Sequence, residues 1–551
     1  MIKIILKKDG KYIKQITYNN PIDIRDISYD QDFKCHIMAY KIDKDYVSSD
    51  FKITEDTELN LVTSDSIEGY RIYQDTTIFI LMKAFNNIFP SNAKIFVEHS
   101  ISDGVYCHTN YDAYFTKVNL DKLKKEMLEI IDSKLRIEKV KVSLEKAKKL
   151  FSKLERSDLI KNFNYRGNQE VTLFKCKEFY DYYIRVLADN TSVIKEFDLV
   201  WYNPGFILRF PQRAECKIEK KMKIPNKLFS IHKEYEKWLD LLKIKNVTDL
   251  NKKIKSYQIS EIIQIEEALQ EKKIAHIADD LKKHQTKIIL IAGPSSSGKT
   301  TFAKRLSVQL RVINIVPVVI GLDDYFLPRN QTPLLPNGEY DYENINALDI
   351  ELLNEHLEIL LDDKEIKLPK YNFITGNREE SHRKVKLQEN NIVIMEGIHA
   401  LNEKLTSKIP KSSKTKIYVS ALNQLNIDDH NRIPTTDVRK IRRIVRDKKF
   451  RGYSAEDTLL RWPAVREGED KYIFPFQEEA DFMFNSGLTY ELAVLKEQAE
   501  ALIEDISSYS PAIFEARRLL KLLSHFKRVQ TNIVPLNSLL REFIGGGVFK
   551  Y

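Results

Sequence analysis

Nine residues, Gly293-Pro-Ser-Ser-Ser-Gly298-Lys299-Thr300-Thr301, follow the apolar run Ile288 to Ala292 directly and open a stretch in which Phe302, Leu306 and Leu310 recur at helical spacing. Strand, glycine loop and helix in that order are the parts of a phosphate cradle. The glycines let the backbone curl so that successive N–H groups face an anion at the positive end of the helix that follows. Gly293, Ser295, Ser296, Ser297, Gly298, Lys299, Thr300 and Thr301 are therefore the candidate grip on a nucleoside triphosphate, ATP or GTP. Lys299 supplies an ammonium for the β- and γ-phosphates, and the Thr300 hydroxyl is placed to ligate Mg²⁺.

A chain of 551 residues exceeds one ordinary core. Residues 1–65 hold short β-type runs separated by Asp-Gly, Asn-Asn and acidic turns, which suggests a small mixed sheet. Residues 66–222 read as a second α+β unit, with helical patterns over Asp75 to Phe89 and Leu120 to Leu154. Residues 223–286 are amphipathic and helical with no turn-rich hinge, so they read as a rigid connector. From 287 to 490, β-runs at Lys287 to Ala292, Val316 to Leu322, Ile392 to Met395, Lys416 to Ser420 and Ala480 to Phe484 alternate with helical ones. That alternation predicts a parallel sheet covered by helices. Residues 491–551 read as a C-terminal helical segment.

The formal charge of +9 is spread along the chain and permits nucleic acid or nucleotide partners without requiring them. Cys35, Cys107, Cys176 and Cys216 are far apart and form no CxxC pair, and the N-terminus lacks a signal-peptide pattern. Free thiols in a reducing cytoplasm are the simple expectation. No apolar stretch is long enough to span a bilayer, so a membrane is not an expected partner.

In a parallel sheet, functional groups gather where strands end at their carboxyl side. The run Val318 to Leu322 ends in Asp323-Asp324-Tyr325-Phe326, and Ile392 to Met395 ends in Glu396-Gly397. A carboxylate at either place would hold Mg²⁺ or take a proton from an acceptor hydroxyl; a helix cap or a turn is the bland alternative. Further on, Arg439, Arg442, Arg443 and Arg446 fall at i, i+3, i+4 and i+7, one face of a helix whose other face carries Ile441, Ile444 and Val445. Such a face is often merely solvated, but beside a phosphate loop it suits a lid that closes on substrate, with only some of the four touching phosphate. Tyr340-Asp-Tyr-Glu343, Asp349 and Tyr371-Asn-Phe-Ile-Thr-Gly-Asn-Arg378 set rings beside carboxylates, as a sugar joined to a base would want.

Taken together in order, these motifs, with Ala347-Leu-Asp349, Glu396-Gly-Ile-His-Ala-Leu and Arg451-Gly452, resemble the uridine kinase and phosphoribulokinase family over roughly residues 287–490. The resemblance implies a P-loop kinase fold, ATP and Mg²⁺ as cofactors, and transfer to the 5′-hydroxyl of a nucleoside, uridine first. It further implies Asp323 as base, with Lys299, Arg442 and Arg443 in catalysis and Arg439 and Arg446 on ATP. Asp324, Phe326, Glu343, Tyr371 and Arg378 would lie around the acceptor, with Thr300 and Glu396 on the metal. Two positions depart from the family: Glu343 stands where Asp is common, and Gly376 where a His reads the pyrimidine.

The first 220 residues resemble the N-terminal part of threonyl-tRNA synthetases, a β-grasp TGS domain followed by an α+β editing domain. The resemblance implies possible RNA contact through these domains. The editing enzymes' metal motif is missing, since its place reads Gln74-Asp-Thr-Thr-Ile78 and Cys216 has no His four residues on. Cys107, His108 and His99 are read as structural rather than as a substitute Zn²⁺ site. Two other readings stay open: an RNA-associated, nucleotide-dependent protein, and a kinase of a phosphorylated sugar that would use Arg378 and Arg383. Oligomeric state is left open, a homo-oligomer included.

Overall fold

A computed structural model describes the chain except residues 29–34, 44, 112–114, 166–168, 223, 335–337, 339, 373–374, 380–381 and 551. At the N-terminus, Ile2–Lys8 pairs antiparallel with Lys11–Tyr18 and parallel with Thr57–Thr63, which in turn pairs with Ile37–Ile42. Alternation puts Ile4, Leu6, Leu59 and Leu61 into one small core with Ile24, Ile27 and Ile53.

The second unit opens with the helix Ile67–Ile88, whose N-cap Ser66 accepts from Gly69 N. It begins eight residues earlier than the Asp75 start read from the pattern. The charged stretch read as helical over Leu120 to Leu154 is instead two helices, Lys117–Asp132 and Leu144–Lys153, separated by the strand Glu138–Ser143. Val140 and Val142 alternate with charged residues there and pair with Leu173 and Val171 of the strand Glu170–Cys176, so period two wins over period 3.6. Cys35 and Cys216, 181 residues apart, form a disulfide between the first unit and the second, whereas Cys107 and Cys176 are free and buried. This corrects the expectation of four free thiols: the pairing is created by tertiary approach and has no spacing signature. No cluster of three or more His, Cys, Asp or Glu side chains able to hold a metal ion occurs among the described residues; His99 stacks on His232 with centroids 3.8 Å apart. No described helix is long and apolar enough to cross a membrane.

In the third unit, β1 (Ile288–Ala292), β2 (Val316–Gly321), β3 (Asn391–Glu396), β4 (Lys414–Ser420) and β5 (Phe482–Asn485) form one parallel sheet in the order β2-β3-β1-β4-β5. β1 is apolar at every position because both faces are covered. Ile288 and Leu290 pack with Leu353, Leu357 and Leu360, whereas Ile289 and Ile291 pack with Phe302, Leu306 and Leu310. The helices Asn226–Leu242 and Ile259–Lys283 supply residues to these cores, while Val247–Lys255, Glu491–Glu504 and Ile513–Leu523 build a further core around Val438, Ile441 and Ile444. Residues 223–286 and 491–551 are thus walls of this unit. The second unit docks on it through Asn426, which donates to Val97 O at 3.0 Å, and Asn431, which donates to Tyr182 O at 2.8 Å.

Candidate active site

Strand register fixes where the acids fall. Gly321 lies opposite Glu396 and Glu396 opposite Ile291, so the chain leaving β2, β3 and β1 emerges along one edge of the sheet. At that edge the 293–298 loop closes tightly. A Cβ on Gly293 would lie 1.9 Å from Val419 O, and Ser296 and Gly298 take positive φ of 58° and 83° before helix α1 (Lys299–Val312) begins. Lys299 Nζ folds back onto the carbonyls of Gly293 and Pro294 at 2.8 and 3.3 Å. Burial holds its ammonium below the ordinary value, with Glu396 and Glu542 opposing.

Thr300 Oγ1 donates to Glu396 Oε1 at 3.1 Å. Glu396 Oε2, Ser296 Oγ and Ser297 Oγ are buried and have no hydrogen-bond partner among the described residues. Burial raises the Glu396 carboxyl above its usual range, and Asp323 adds to this while Lys299 opposes it. A hydroxyl and a carboxylate in contact, with one carboxylate oxygen unsatisfied, are the hard oxygen donors that Mg²⁺ takes. The loop and these side chains therefore fit a nucleotide with its cation. A cavity of about 340 Å³ opens over Ser295 to Thr300 and is lined also by Glu343, Arg443, Arg446, Arg451 and Glu542.

The arginines lie on α2 (Thr435–Arg451), which is followed by α3 (Ala455–Tyr472). Arg443 donates to Ser295 Oγ at 2.7 Å and to Asp447 at 3.0 Å, and Arg446 donates to Asp447 at 2.8 Å. Both line the cavity. Arg439 is buried, donates to Ser295 O at 2.8 Å and pairs with Glu469, itself an acceptor for Ser295 N at 2.9 Å. Arg442 is wholly buried: Nε meets Glu491 at 2.5 Å, while NH1 and NH2 meet Ser486 Oγ and Ser486 O at 3.2 and 2.8 Å. The expected catalytic part for Arg442 does not match this placement: its charge is paired with Glu491, and its contact with the loop is the bond from NH1 to the Ser296 carbonyl at 3.5 Å. Ile441, Ile444 and Val445 enter the core on the other side, so α2 is held on both faces.

On the acceptor side, Asp323 lies in the turn Leu322–Tyr325 that continues β2 and is exposed. Surrounding protein and then Asp324 push its carboxyl above the ordinary value. Asp324 Oδ2 turns back to 3.4 Å from the place of a Cβ on Gly321. Glu343 lines the phosphate cavity, where burial and Asp341 raise it while Arg443 and Lys299 oppose. Phe326 and Tyr371 are buried with ring centroids 5.5 Å apart, and Tyr342 stands edge-on to Phe326 at 5.8 Å. Arg378 is held by Asp349 at 2.6 Å, and Asp349 caps the helix Ile350–Leu361. At Gly376 φ is 71°, and a Cβ would come within 2.7 Å of Arg329 Nε, so Arg329 fills the space beside it. Phe373 and Ile374 of the same motif lie outside the described residues.

Sequence reasoning missed three carboxylates. Asp447, four residues after Arg443, was findable from its spacing. Glu469 and Glu542 were not, because their partners are far away in the chain: Glu542 Oε2 accepts from Thr301 N and Oγ1 at 3.2 and 2.6 Å.

A helix-covered parallel sheet with a glycine loop, a half-buried Thr–Glu pair beneath it and arginines over it defines a P-loop kinase fold. Residues 288–493 match the phosphoribulokinase / uridine kinase family. A uridine kinase from Clostridium botulinum (strain Langeland) is 30% identical over 208 residues, 38% of this chain and 91% of the relative. One from Lactobacillus johnsonii is 29% identical, over 38% of this chain and 90% of its own length. Among solved structures, a possible uridine kinase from Bacillus stearothermophilus aligns at 21% identity and TM-score 0.24, over 36% of this chain and 89% of that one. The chain belongs to the phosphoribulokinase / uridine kinase family through this third unit.

Proposed function

We propose that the chain transfers the γ-phosphoryl group of ATP, with Mg²⁺, to the 5′-hydroxyl of a nucleoside, uridine being the first acceptor to test. The observation that carries this reading is Glu396: it pairs with Thr300 under the loop, keeps one oxygen without a partner among the described residues, and lies opposite Gly321, two residues before Asp323, on the adjacent strand. Mg²⁺, when held by Thr300 and Glu396, neutralises charge on the phosphate oxygens. Asp323, ionised, accepts the proton of the attacking hydroxyl; its raised pKa makes it a better base than an ordinary carboxylate. Lys299, Arg443 and Arg446 balance charge on the transferred group. Glu343 supplies an acceptor for sugar hydroxyls beside that cavity.

Support for uridine within the nucleosides is thinner, because Gly376 offers no side chain to read a base and Arg329 fills its surroundings. A phosphorylated sugar has less support still: Arg378 is neutralised by Asp349, and Arg383 donates to Val319 O. The test is a nucleoside panel with ATP and Mg²⁺, product followed by chromatography, in the full chain and in Asp323→Asn. Turnover of at least one nucleoside, lost in the variant, is the expected result. ATP binding with no nucleoside phosphorylated would refute the acceptor class.

A further inference from the structure

Between the second and third units lies a cavity of about 1350 Å³, walled by the start of the helix Ile67–Ile88, by Tyr183 to Arg185, by the chain entering α2 and by α3. Its polar groups are unbalanced. Arg432, three residues before α2, makes one hydrogen bond, to the neutral hydroxyl of Ser100 at 2.8 Å, and no ion pair with any described residue. Burial and the nearby Arg185 draw its guanidinium down to about 10.

The carboxylates of the wall, by contrast, are taken. Asp75 accepts both nitrogens of Arg185 at 2.5 and 2.6 Å, and Asp437 accepts both of Arg518 at 2.7 and 2.6 Å. Asp103 holds Arg209 at 2.6 Å, Asp470 holds Arg466 at 2.8 Å and Asp65 holds Lys8 at 2.9 Å, leaving Glu467, which is exposed. Donors are left over and acceptors are used up. Arg432 carries a charge that no described carboxylate pairs with, and an anion in the cavity would supply that partner. Guanidinium groups match phosphate oxygens in geometry and charge. The volume exceeds the roughly 300–1000 Å³ of small-ligand pockets, which suits an extended ligand better than a single inorganic ion.

We propose that this interdomain cavity binds a phosphate ester of nucleotide size or larger, with Arg432 as the principal anchor. The site is separate from the cavity over the phosphate loop and does not depend on which acceptor that loop serves. The two share α2, which Arg432 precedes and from which Arg443 and Arg446 face the loop.

Inorganic pyrophosphate, titrated calorimetrically into the full chain, serves as the first probe. Two binding events per chain are expected, one at the phosphate loop and one in the cavity. Lys299→Met removes the first and keeps the second; Arg432→Gln keeps the first and weakens the second at least tenfold. A single event in the wild type, or two unchanged events in Arg432→Gln, would overturn the assignment. 5′-AMP and a phosphorylated RNA trinucleotide, each titrated into the wild type and Arg432→Gln, separate a free nucleotide from a polynucleotide end. The physiological source is the one whose affinity falls at least tenfold in the variant, and no fall for either refutes the site.

Discussion

Arg442 was read from sequence as a catalytic arginine and stands in the structure as the counter-ion of Glu491. Arg442→Met separates the two roles. The substitution keeps much of the side-chain volume and leaves the Glu491 carboxylate, 2% exposed, without its cation. Burial already raises Glu491 above its usual 4.5, and Arg442 is the first group opposing the shift. Without Arg442 the folded protein must protonate Glu491. At pH 7 that costs roughly 3.5 kcal/mol, the work of protonating an acid of ordinary pKa 4.5 at about 1.4 kcal/mol per pH unit. The figure agrees with the roughly 3–5 kcal/mol seen on breaking buried ion pairs. The folded pKa in the variant lies above the unfolded one, so the penalty grows as pH rises above the unfolded value and shrinks to roughly 0.7 kcal/mol at pH 5. Thermal melts of wild type and variant at pH 5 and pH 7 measure it. A Tm loss of about 3–5 °C at pH 7, much smaller at pH 5, is expected for a cooperative unit of this size. Arg442→Met/Glu491→Leu should regain most of the loss, since no buried charge then remains. An Arg442→Met protein with unchanged Tm at pH 7 and kcat reduced about a thousandfold would refute the structural role and restore the catalytic one.

Asp323→Asn should lower kcat by about 10²–10⁴ with ATP affinity retained. Because the Asp323 carboxyl is raised and must be ionised to act, the wild-type rate should fall with decreasing pH at a pH above the usual carboxylate range, and a pH profile of kcat/KM checks this. Glu396→Gln keeps the bond from Thr300 and removes the charge, so the Mg²⁺ concentration at half-maximal rate should rise at least tenfold in a metal titration. Glu266 is buried, accepts from Thr489 N and Oγ1 at 2.7 Å each, and is pushed up to about 8 by burial. A raised carboxyl takes stability away as pH climbs from the unfolded value toward the folded one, so Glu266→Gln should raise Tm at pH 8 and leave it little changed at pH 4.5.

How much of this was legible in the chain depends on how local each feature is. The phosphate loop, the five strands and the acids at their ends could be read because each is a short run whose meaning is fixed by its neighbours: an apolar stretch, then glycines, then a lysine and a hydroxyl. Glu138–Ser143 was misread within a longer charged stretch, because lysines and glutamates fit a helix as well as they fit the open face of a strand.

Long-range choices belonged to the tertiary structure. Spacing placed Arg439, Arg442, Arg443 and Arg446 on one helical face, but Glu491 and Glu469, 49 and 30 residues away from their partners, claimed Arg442 and Arg439 and left Arg443 and Arg446 to the cavity. The Cys35–Cys216 pair, the grip of Glu542 on Thr301 and the cavity beside Arg432 have the same origin. A sequence determines which groups it carries and the local geometry of each; which charge neutralises which is decided only when the chain folds and Coulomb's law acts on distance through space.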